Sequence, residues 1–284
     1  MHLASFVVAG AEGFGAVVDG GVVDLGKRSG YASVLDVLAS DGVADVARLS
    51  AAEADYPLAD VSWRHPVIGI EKIICVGINY PEPASPDRGL SKAARYPNLF
   101  VRFPSSLSAH QEAILRPAVS DRFDYEGEIA VVIGRTGRHI APERAEDHVA
   151  GFTIANEGTV RDWVGHGTKN VTQGKNFDRS GAIGPWLVTA DELSSAEPLT
   201  LITRVNGEVR QEDSSARMFW SIGELISYIS EFTTLRPGDI ILTGTPGGVG
   251  DRLSPPSYLK AGDIVEVEVP GIGVLANRVE DDAA

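Results

Sequence analysis

The feature of this sequence that most constrains its fold is an acidic segment that leads directly into an unbroken apolar run. Asp124, Glu126 and Glu128 occupy alternate positions, and residues 129–133 (IAVVI) follow without a break. A β-branched run of this length, ended by Gly134, predicts a β-strand. If the strand starts at the acidic residues, its two-residue period places the three carboxylates on one face.

Three carboxylates on one face of a strand repel one another. One of them would tend to bind a proton unless a cation lay between them. A hard divalent ion with oxygen ligands, such as Mg²⁺, Mn²⁺ or Ca²⁺, meets that requirement. The alternative is a solvated strand end that carries ordinary surface acids, and spacing alone favours this second interpretation.

The composition restricts the partners and the compartment. The 284 residues include 25 Lys and Arg against 39 Asp and Glu, which gives a net charge of −14. This charge repels phosphate backbones and anionic lipid surfaces, so we expect neither a nucleic-acid nor a membrane partner. The single cysteine, Cys75, excludes an internal disulfide. With no secretion signal in the first residues and no apolar segment long enough to span a membrane, we expect a cytoplasmic protein.

The pattern of short apolar runs and turns predicts an α+β protein rich in strands. Early in the chain, three short β-prone runs separated by glycines precede a helical pattern over residues 31–38. A mixed acidic segment follows and indicates a domain boundary near Arg64. We predict a small N-terminal β-rich domain over residues 1–64 and a larger catalytic domain over residues 65–284.

Further β-prone runs and one helix are predicted in the larger domain. The runs that predict core strands are residues 73–76, 129–133, 201–205, 240–242 and 264–269. Ser221 and Glu224 have the spacing of a capping box that starts a helix. The apolar stripe of this helix consists of Ile222, Leu225, Ile226 and Ile229.

Five ordered sequence blocks resemble the signature blocks of the fumarylacetoacetate hydrolase superfamily. The blocks are residues 75–80 (CVGINY), 124–128 (DYEGE), 156–162 (NEGTVRD), 174–177 (GKNF) and 238–246 (GDIILTGTP). They occur in the family's order, and the similarity runs from about Lys72 to Val279. The resemblance implies a mixed β-roll for the catalytic domain and a homodimeric protein.

The resemblance also implies which residues bind a metal. The family holds Mg²⁺ or Mn²⁺ on a Glu-x-Glu pair and a later acidic residue, which map to Glu126, Glu128 and Glu157. The third position is usually Asp in the family, so the extra methylene of Glu157 can alter the position of the ion. Asp124 also matches a family acid, and it can equally be a structural hydrogen-bond acceptor.

The same resemblance implies how a substrate is held. Lys175 and Arg161 match basic positions that bind the substrate carboxylate. The alternatives are a surface lysine and an arginine paired with a core acid such as Asp162. Thr245 resembles a family residue whose hydroxyl or backbone amide meets the substrate.

Two departures from the family concern the residues that activate water. Residues 81–97 contain four prolines, which predicts an exposed loop or lid. On this lid, the usual His and Glu of the family align with Pro83 and Pro86, and a usual Gln aligns with Val164. We therefore predict that the usual apparatus for water activation is missing.

Other groups could supply a base in its place. His110 follows a pair of serines that resembles a family loop close to the metal, and it is the histidine that we assign to catalysis. His166, Glu82 and a metal-bound water are the other candidates.

From these residues we expect a metal-dependent hydrolase or decarboxylase that cleaves a carbon–carbon bond in a 2,4-dioxo acid, an acylpyruvate or a related oxo-dioate. The substrate would be a small anionic oxo-acid. A first alternative is a 2-hydroxydienoate isomerase or tautomerase, which moves a proton without attack by water. A second alternative is a non-catalytic member of the same fold that binds a ligand.

Overall fold

Strands are the main regular structure of the computed structural model, which describes residues 1–81, 95–168 and 170–283. The strands are β1 (His2–Val8), β2 (Ala11–Val18), β3 (Gly21–Asp24), β4 (Tyr56–Pro57), β5 (Ser62–Trp63), β6 (Ile73–Gly77), β7 (Asn98–Val101), β8 (Leu107–Ser108), β9 (Ile114–Arg116), β10 (Phe123–Asp124), β11 (Gly127–Ile133), β12 (Val149–Asn156), β13 (Thr159–Val160), β14 (Gly181–Thr189), β15 (Thr200–Val205), β16 (Glu208–Ser214), β17 (Ile240–Leu242), β18 (Ile264–Val269) and β19 (Gly273–Asp281). The helices are α1 (Val34–Ala39), α2 (Val43–Leu49), α3 (Arg161–Val164), α4 (Thr172–Lys175) and α5 (Ile222–Phe232). Short 3-10 helices cover Leu58–Asp60, Pro104–Ser106, Pro142–Arg144, Glu146–His148, Ser215–Arg217 and Gly250–Arg252. The predicted β-rich α+β class is confirmed.

Two sheets contain nearly all of these strands. The larger has twelve strands in the order β4-β3-β2-β1-β14-β12-β11-β17-β6-β7, with β5 paired to β1 and β8 paired to β14. The smaller has the order β16-β15-β18-β19-β9, and β10 forms a separate two-stranded ladder with β13. The larger sheet is mixed, because β17 is parallel to β6 while β11 is antiparallel to both β12 and β17.

Strand β11 lies inside the larger sheet and is buried on both faces. Ile129 and Val131 belong to a core that also contains Val267 of the smaller sheet. Ala130 and Val132, on the opposite face, belong to a core that includes α1 and the N-terminal strands. Burial on both faces explains why the sequence of β11 is continuously apolar rather than alternating.

The acidic segment before β11 does not belong to one strand. Strand β10 ends at Asp124 and β11 begins at Gly127, so that Glu126 lies between the two. Strand β10 pairs with β13, whereas β11 pairs with β12 and β17. The expectation that Asp124, Glu126 and Glu128 share one face of one strand is therefore wrong, because Asp124 lies in a separate ladder.

The N-terminal strands continue the larger sheet. Residues His2 and Leu3 of β1 pair with Val188 and Leu187 of β14. The three β-prone runs predicted there lie within β1, β2 and β3, and the predicted helical pattern overlaps α1. The division into domains at residues 1–64 and 65–284 stays a prediction.

Helix α5 begins with the predicted capping box. The hydroxyl of Ser221 accepts a hydrogen bond from the backbone N–H of Glu224 at 3.3 Å. In return, the Glu224 carboxylate accepts from the backbone N–H of Ser221 at 2.8 Å. The predicted stripe is buried at all four positions, Ile222, Leu225, Ile226 and Ile229. This prediction is confirmed.

Replacement of Ser221 by Ala should destabilise the protein by about 1 kcal/mol, because the first turn of α5 loses its side-chain acceptor. Urea unfolding followed by circular dichroism measures this change. A Ser221→Asn variant, which keeps an acceptor, is the control. Equal losses in both variants would show that the cap contributes nothing.

Two further expectations concern membranes and the lid. No helix in the described ranges is long and apolar enough to cross a membrane. Glu82, Pro83 and Pro86 of the predicted lid lie outside the described residues.

Candidate metal centre

Three glutamate side chains converge where strands β11 and β12 meet. Glu126 precedes β11, Glu128 lies within it, and Glu157 directly follows β12. The pairing of Gly127 with Asn156 brings the two strand ends together. One carboxylate oxygen of each glutamate lies within 4.8 Å of the other two, and all three residues are buried. The structure thus brings together the three predicted metal ligands.

Backbone hydrogen bonds fix each of these glutamates. The N–H of Glu126 donates to Oδ1 of Asn156 at 3.0 Å, and the N–H of Glu157 donates to the carbonyl of Glu126 at 2.7 Å. The N–H of Gly244 donates to Oε2 of Glu128 at 2.7 Å. Gly244 has a φ of 99°, and a Cβ atom there would lie 2.7 Å from a neighbouring side chain. Glycine is therefore needed for the turn to present its N–H to Glu128.

Two basic side chains are paired with the cluster. Lys175, at the end of α4, donates from Nζ to Glu126 Oε2 at 2.7 Å and to Glu157 Oε2 at 2.9 Å. Arg161, at the start of α3, places Nη1 2.7 Å from Glu126 Oε1. Its Nε donates to Asp124 Oδ2, also at 2.7 Å. Lys175 is buried at this position and is not a surface lysine.

The pKa values of the carboxyl groups shift in different directions because the basic side chains are not shared equally among them. Burial alone would raise the pKa of Glu126, but the charges of Lys175 and Arg161 outweigh it and lower the pKa to about 2. Burial and the negative charges of Glu157 and Glu126 raise the pKa of Glu128 well above its usual value. Burial opposes the charge of Lys175, yet Glu126 and Glu157 raise its pKa, so the ammonium stays protonated.

The cluster fits a hard divalent cation. Oε1 of Glu157 is buried and has no hydrogen-bond partner among the described residues, which is costly for a carboxylate oxygen. Burial and the neighbouring carboxylates raise the pKa of Glu128 against the charge of Lys175, so a further positive charge would favour its ionised form. An ion with oxygen ligands, such as Mg²⁺ or Mn²⁺, would meet both needs. The longer side chain of Glu157 does not prevent it from reaching the cluster.

Arg102 is a third basic residue near the cluster, and it was not predicted from the sequence. Its buried guanidinium donates to the hydroxyls of Ser106 and Ser180 and to the carbonyls of Ser106 and Gly158, at 2.9–3.1 Å. Burial lowers the pKa of Arg102, and Glu157 is the group that most opposes this effect. Because Gly158 directly follows Glu157, Arg102 also holds the backbone beside this carboxylate.

The sequence left two interpretations of Asp124 open: an acid of the family site or a structural hydrogen-bond acceptor. The structure supports the second. The oxygens of Asp124 accept from the backbone N–H groups of Gly250 and Asp251, at 2.8 and 2.9 Å, and from Arg161. Burial raises the pKa of Asp124 against the opposing charge of Arg161. Arg161 is thus paired with Asp124, while Asp162 accepts from the hydroxyl of Ser120 at 2.6 Å.

A cavity of about 780 Å³ contains the three glutamates, Lys175 and Arg161 in its lining. Apolar side chains of Val76, Phe100 and Val164 contribute other parts of the wall. This volume lies in the range of sites for small molecules.

Thr245 also lines the cavity, and Gln211 supports it. The Thr245 hydroxyl donates to the carbonyl of Gly127 at 2.9 Å and accepts from Nε2 of Gln211 at 2.8 Å. Oε1 of Gln211 accepts from the N–H of Gly127 at 2.9 Å. Gln211 was missed because nothing in the sequence of β16 distinguishes it from a surface glutamine. The role of Thr245 as a substrate contact stays a prediction.

The two candidate histidines lie elsewhere. His110 packs near Trp63, and its Nδ1 accepts from the N–H of Ala276 at 3.1 Å. Burial lowers the pKa of His110 to about 4. His166 is exposed and contacts the ring of Trp163. Neither is among the described residues that line the cavity, so the structure does not bring His110 to the cluster.

A β-rich fold that gathers buried carboxylates and basic side chains in the wall of a cavity defines an enzyme that acts on small molecules. The chain belongs to the fumarylacetoacetate hydrolase family. Its residues 72–280 match the family described as fumarylacetoacetate (FAA) hydrolase, C-terminal.

Curated relatives cover most of the chain. The chain is 41% identical over 224 residues to oxaloacetate tautomerase FAHD2A, mitochondrial, of Bos taurus, a match that spans 78% of this chain and 71% of the relative. It is 39% identical over 226 residues to oxaloacetate tautomerase YisK of Bacillus subtilis (strain 168), over 79% of this chain and 75% of the relative.

Solved structures of the family share the fold. A probable 2-hydroxyhepta-2,4-diene-1,7-dioate isomerase from Mycobacterium abscessus superposes with a TM-score of 0.83 at 33% identity, over 100% of both chains. Maleylpyruvate hydrolase from Sphingobium sp. SYK-6, in complex with manganese(II) ion and pyruvate, superposes with a TM-score of 0.80 at 28% identity, again over 100% of both chains.

Proposed function

We propose that the protein is a divalent-metal-dependent oxaloacetate tautomerase, which interconverts the enol and keto forms of this short 2-oxo dicarboxylate. The observation that carries the proposal is the composition of the cavity: a carboxylate cluster and a buried lysine, with no histidine among the described lining residues. Residues 82–94 contain no histidine in their sequence either. Tautomerisation needs only proton transfer between carbon and oxygen, whereas hydrolysis also needs a base that activates water.

The names of the relatives support the same choice. Two relatives at about 40% identity are oxaloacetate tautomerases, and a structural neighbour is a probable dioate isomerase. These names favour the tautomerase alternative over the carbon–carbon hydrolase or decarboxylase that we first expected from the sequence.

We assign the ion to Glu126, Glu128 and Glu157. When bound there, Mg²⁺ or Mn²⁺ would polarise the 2-oxo group of the substrate and stabilise negative charge on its oxygen. The presence of manganese in the maleylpyruvate hydrolase structure supports the choice of metal class.

Lys175 and Arg161 are suited to hold the substrate anion. An ammonium group has three N–H donors. Two of those of Lys175 are directed to Glu126 and Glu157, which leaves one for a substrate oxygen. Nη2 of Arg161 is buried and has no hydrogen-bond partner among the described residues. We propose that the third N–H of Lys175 and Nη2 of Arg161 bind the substrate carboxylate next to the 2-oxo group. Contacts with the glutamate cluster hold both side chains in position.

The hydrolase is the second candidate, and the maleylpyruvate hydrolase neighbour is the observation that favours it. In this chain, Val164 contributes an apolar side chain to the cavity where the family commonly has Gln. An apolar wall does not orient water, so this difference counts against hydrolysis.

The test uses freshly dissolved oxaloacetate and metal-loaded protein. We expect Mn²⁺ to accelerate the decay of the enol absorbance by about 10²-fold or more over the metal-stripped protein, since metal and general-acid assistance are each of at least that size. Pyruvate formation from oxaloacetate and cleavage of acetylpyruvate are measured in parallel. Faster acetylpyruvate cleavage would select the hydrolase, and faster pyruvate formation would select the decarboxylase.

The homodimeric state and the cytoplasmic location stay predictions. Light scattering coupled to gel filtration measures the mass in solution. Some relatives are named as mitochondrial proteins, so localisation of the full chain in its own cell is the measurement that decides the compartment.

A further inference from the structure

We propose that Gln211 is a positioning residue of the metal centre and sets its preference for Mg²⁺ over Ca²⁺. This inference rests on the proposed function, because it concerns the ion that we assign to the three glutamates. Gln211 is buried on β16 of the smaller sheet, where it pairs with Thr203 of β15. Its side-chain amide contacts Gly127 of the larger sheet, the residue between the ligands Glu126 and Glu128.

Three hydrogen bonds form a closed ring that includes both backbone groups of Gly127. The Gly127 N–H donates to Oε1 of Gln211 at 2.9 Å, Nε2 of Gln211 donates to the Thr245 hydroxyl at 2.8 Å, and that hydroxyl donates to the Gly127 carbonyl at 2.9 Å. The N–H belongs to the peptide unit shared with Glu126, and the carbonyl belongs to the one shared with Glu128. The ring therefore fixes the direction in which each ligand side chain leaves the backbone.

Gln211 also holds the turn that binds the carboxylate of Glu128. Its Nε2 makes a second hydrogen bond, to the carbonyl of Pro246 at 2.8 Å. Two residues earlier in this turn, the N–H of Gly244 donates to Oε2 of Glu128 at 2.7 Å. One buried amide thus fixes Glu128 at its backbone, through Gly127, and at its carboxylate, through the turn.

Packing leaves the backbone at Gly127 little room to move. A Cβ atom there would lie 2.1 Å from Oγ1 of Thr203 and 3.0 Å from Cγ1 of Val267. Thr203 and Val267 belong to β15 and β18, so the smaller sheet packs directly against the residue between the two ligands. The larger sheet supplies the ligands, and the smaller sheet fixes their separation.

A fixed separation between ligands bears on the choice of ion. Mg²⁺ requires nearly ideal octahedral geometry with oxygen ligands at about 2.0–2.1 Å, whereas Ca²⁺ accepts irregular geometry and distances of about 2.3–2.6 Å. The flexibility of a site is one of the features that decide between these two ions. Loss of the ring around Gly127 should therefore relax the discrimination against Ca²⁺.

The test replaces Gln211 by Met, which keeps the length of the side chain but removes its amide. We expect Gln211→Met to lower the affinity for Mg²⁺ about 10- to 100-fold, the usual effect of losing a group that orients a metal ligand. The affinity for Ca²⁺ should fall by less, so that the ratio of the two affinities falls about tenfold. Calorimetric titration of the metal-stripped protein with each ion measures both values without an activity assay.

A second variant tests the ring if Gln211→Met does not fold. Thr245→Val removes the hydroxyl of the ring and leaves Gln211 in place, so it should lower the same affinity ratio by a smaller factor. The double variant should lower the ratio by less than the product of the two separate factors, because both changes break one ring. Independent, multiplicative effects would contradict the ring.

Asn277→Leu is the matched control. Asn277 is another buried side-chain amide that links backbone segments, since its Nδ2 donates to the carbonyls of Ala109 and Glu112 at 2.8 and 2.7 Å. It is not among the described residues that line the cavity. This variant should lose stability while keeping the ratio of Mg²⁺ to Ca²⁺ affinity, and thermal melts of all variants separate the two effects.

Equal losses of Mg²⁺ and Ca²⁺ affinity in Gln211→Met, or no loss of either, would overturn the role of Gln211 in selectivity. A wild type that binds neither ion, or that prefers Ca²⁺, would also overturn it. A wild type that prefers Mg²⁺ but does not tautomerise oxaloacetate would instead overturn the proposed function and leave this inference standing. The two failures are thus distinguishable.

Discussion

A Glu128→Gln variant is expected to lose Mn²⁺ binding and turnover and, without metal, to melt at a higher temperature than the wild type. The loss follows from the removal of one of three anionic ligands. The gain in stability follows because Glu128 lies near Glu126 and Glu157, and burial and repulsion raise its pKa. The amide keeps an oxygen that can accept from the N–H of Gly244, as the carboxylate does at 2.7 Å.

The gain in melting temperature of metal-free Glu128→Gln over the wild type should increase with pH. A glutamate whose pKa is raised in the folded state stabilises the fold below its unfolded pKa, about 4.3, and this contribution is lost as pH rises through the folded value. The melting temperatures of metal-free wild type and Glu128→Gln should therefore coincide below about pH 4.3 and separate as pH rises from there towards the folded pKa of Glu128. For a domain of 150–250 residues, each kcal/mol corresponds to about 2–4 °C.

Calorimetric titration with Mn²⁺ and melting curves from acid to neutral pH measure both effects. Glu53→Gln is the control, because Glu53 is exposed and lies outside the cavity. Undiminished Mn²⁺ affinity in Glu128→Gln would remove Glu128 from the metal site. A melting temperature below that of the wild type at neutral pH would contradict the electrostatic argument.

A Lys175→Met variant is expected to change stability in the opposite direction. Loss of the Lys175 ammonium leaves the buried carboxylates of Glu126 and Glu157 without their shared donor. Removal of one partner of a buried ion pair costs about 3–5 kcal/mol of folding stability. Turnover should fall about 10²- to 10⁴-fold, because the substrate loses a charged donor. Mn²⁺ affinity should be retained or increased, since the ion no longer competes with an ammonium for these oxygens.

Lys72→Met provides a matched control for the loss of a buried pair. Lys72 Nζ lies 2.9 Å from Asp239, which is buried, and neither residue lines the cavity. This control should lose stability while keeping kcat and the effect of Mn²⁺ on the melting temperature. If metal addition stabilises Lys175→Met less than it stabilises the wild type, the proposed competition between ammonium and ion is wrong.

Local sequence patterns predicted the parts of the fold that are determined by residues close together in the sequence. The apolar run 129–133 predicted β11, and Ser221 with Glu224 predicted the start of α5, because strand propensity and helix capping act over a few residues. The spacing of Glu126 and Glu128 alone favoured ordinary surface acids, and it was the family resemblance that assigned Glu126, Glu128 and Glu157 to one metal site. Contact between these residues depends on the pairing of β11 with β12, which spacing alone does not specify.

Other features were missed because they depend on contacts between distant segments. Asp124 was expected beside Glu126 and Glu128, but its ladder with β13 directs it to Gly250 and Asp251. The serines before His110 pointed to the site, whereas the position of that ring is set by β19, where Ala276 donates to it. The alternation of Asp124, Glu126 and Glu128 does not reveal that the strand breaks between them. The serine pair before His110 does not reveal which distant backbone segment the histidine contacts.

The ion pairs of Lys175 and Arg161 bear on the order of events during biogenesis. In small zinc domains, uncompensated ligands prevent folding until the metal arrives. Here, Lys175 and Arg161 already neutralise Glu126, and Lys175 also contacts Glu157. The newly made chain can therefore reach its native state while metal is scarce and be loaded afterwards. Supply of the ion would then affect the fraction of active molecules far more than the fraction of folded ones.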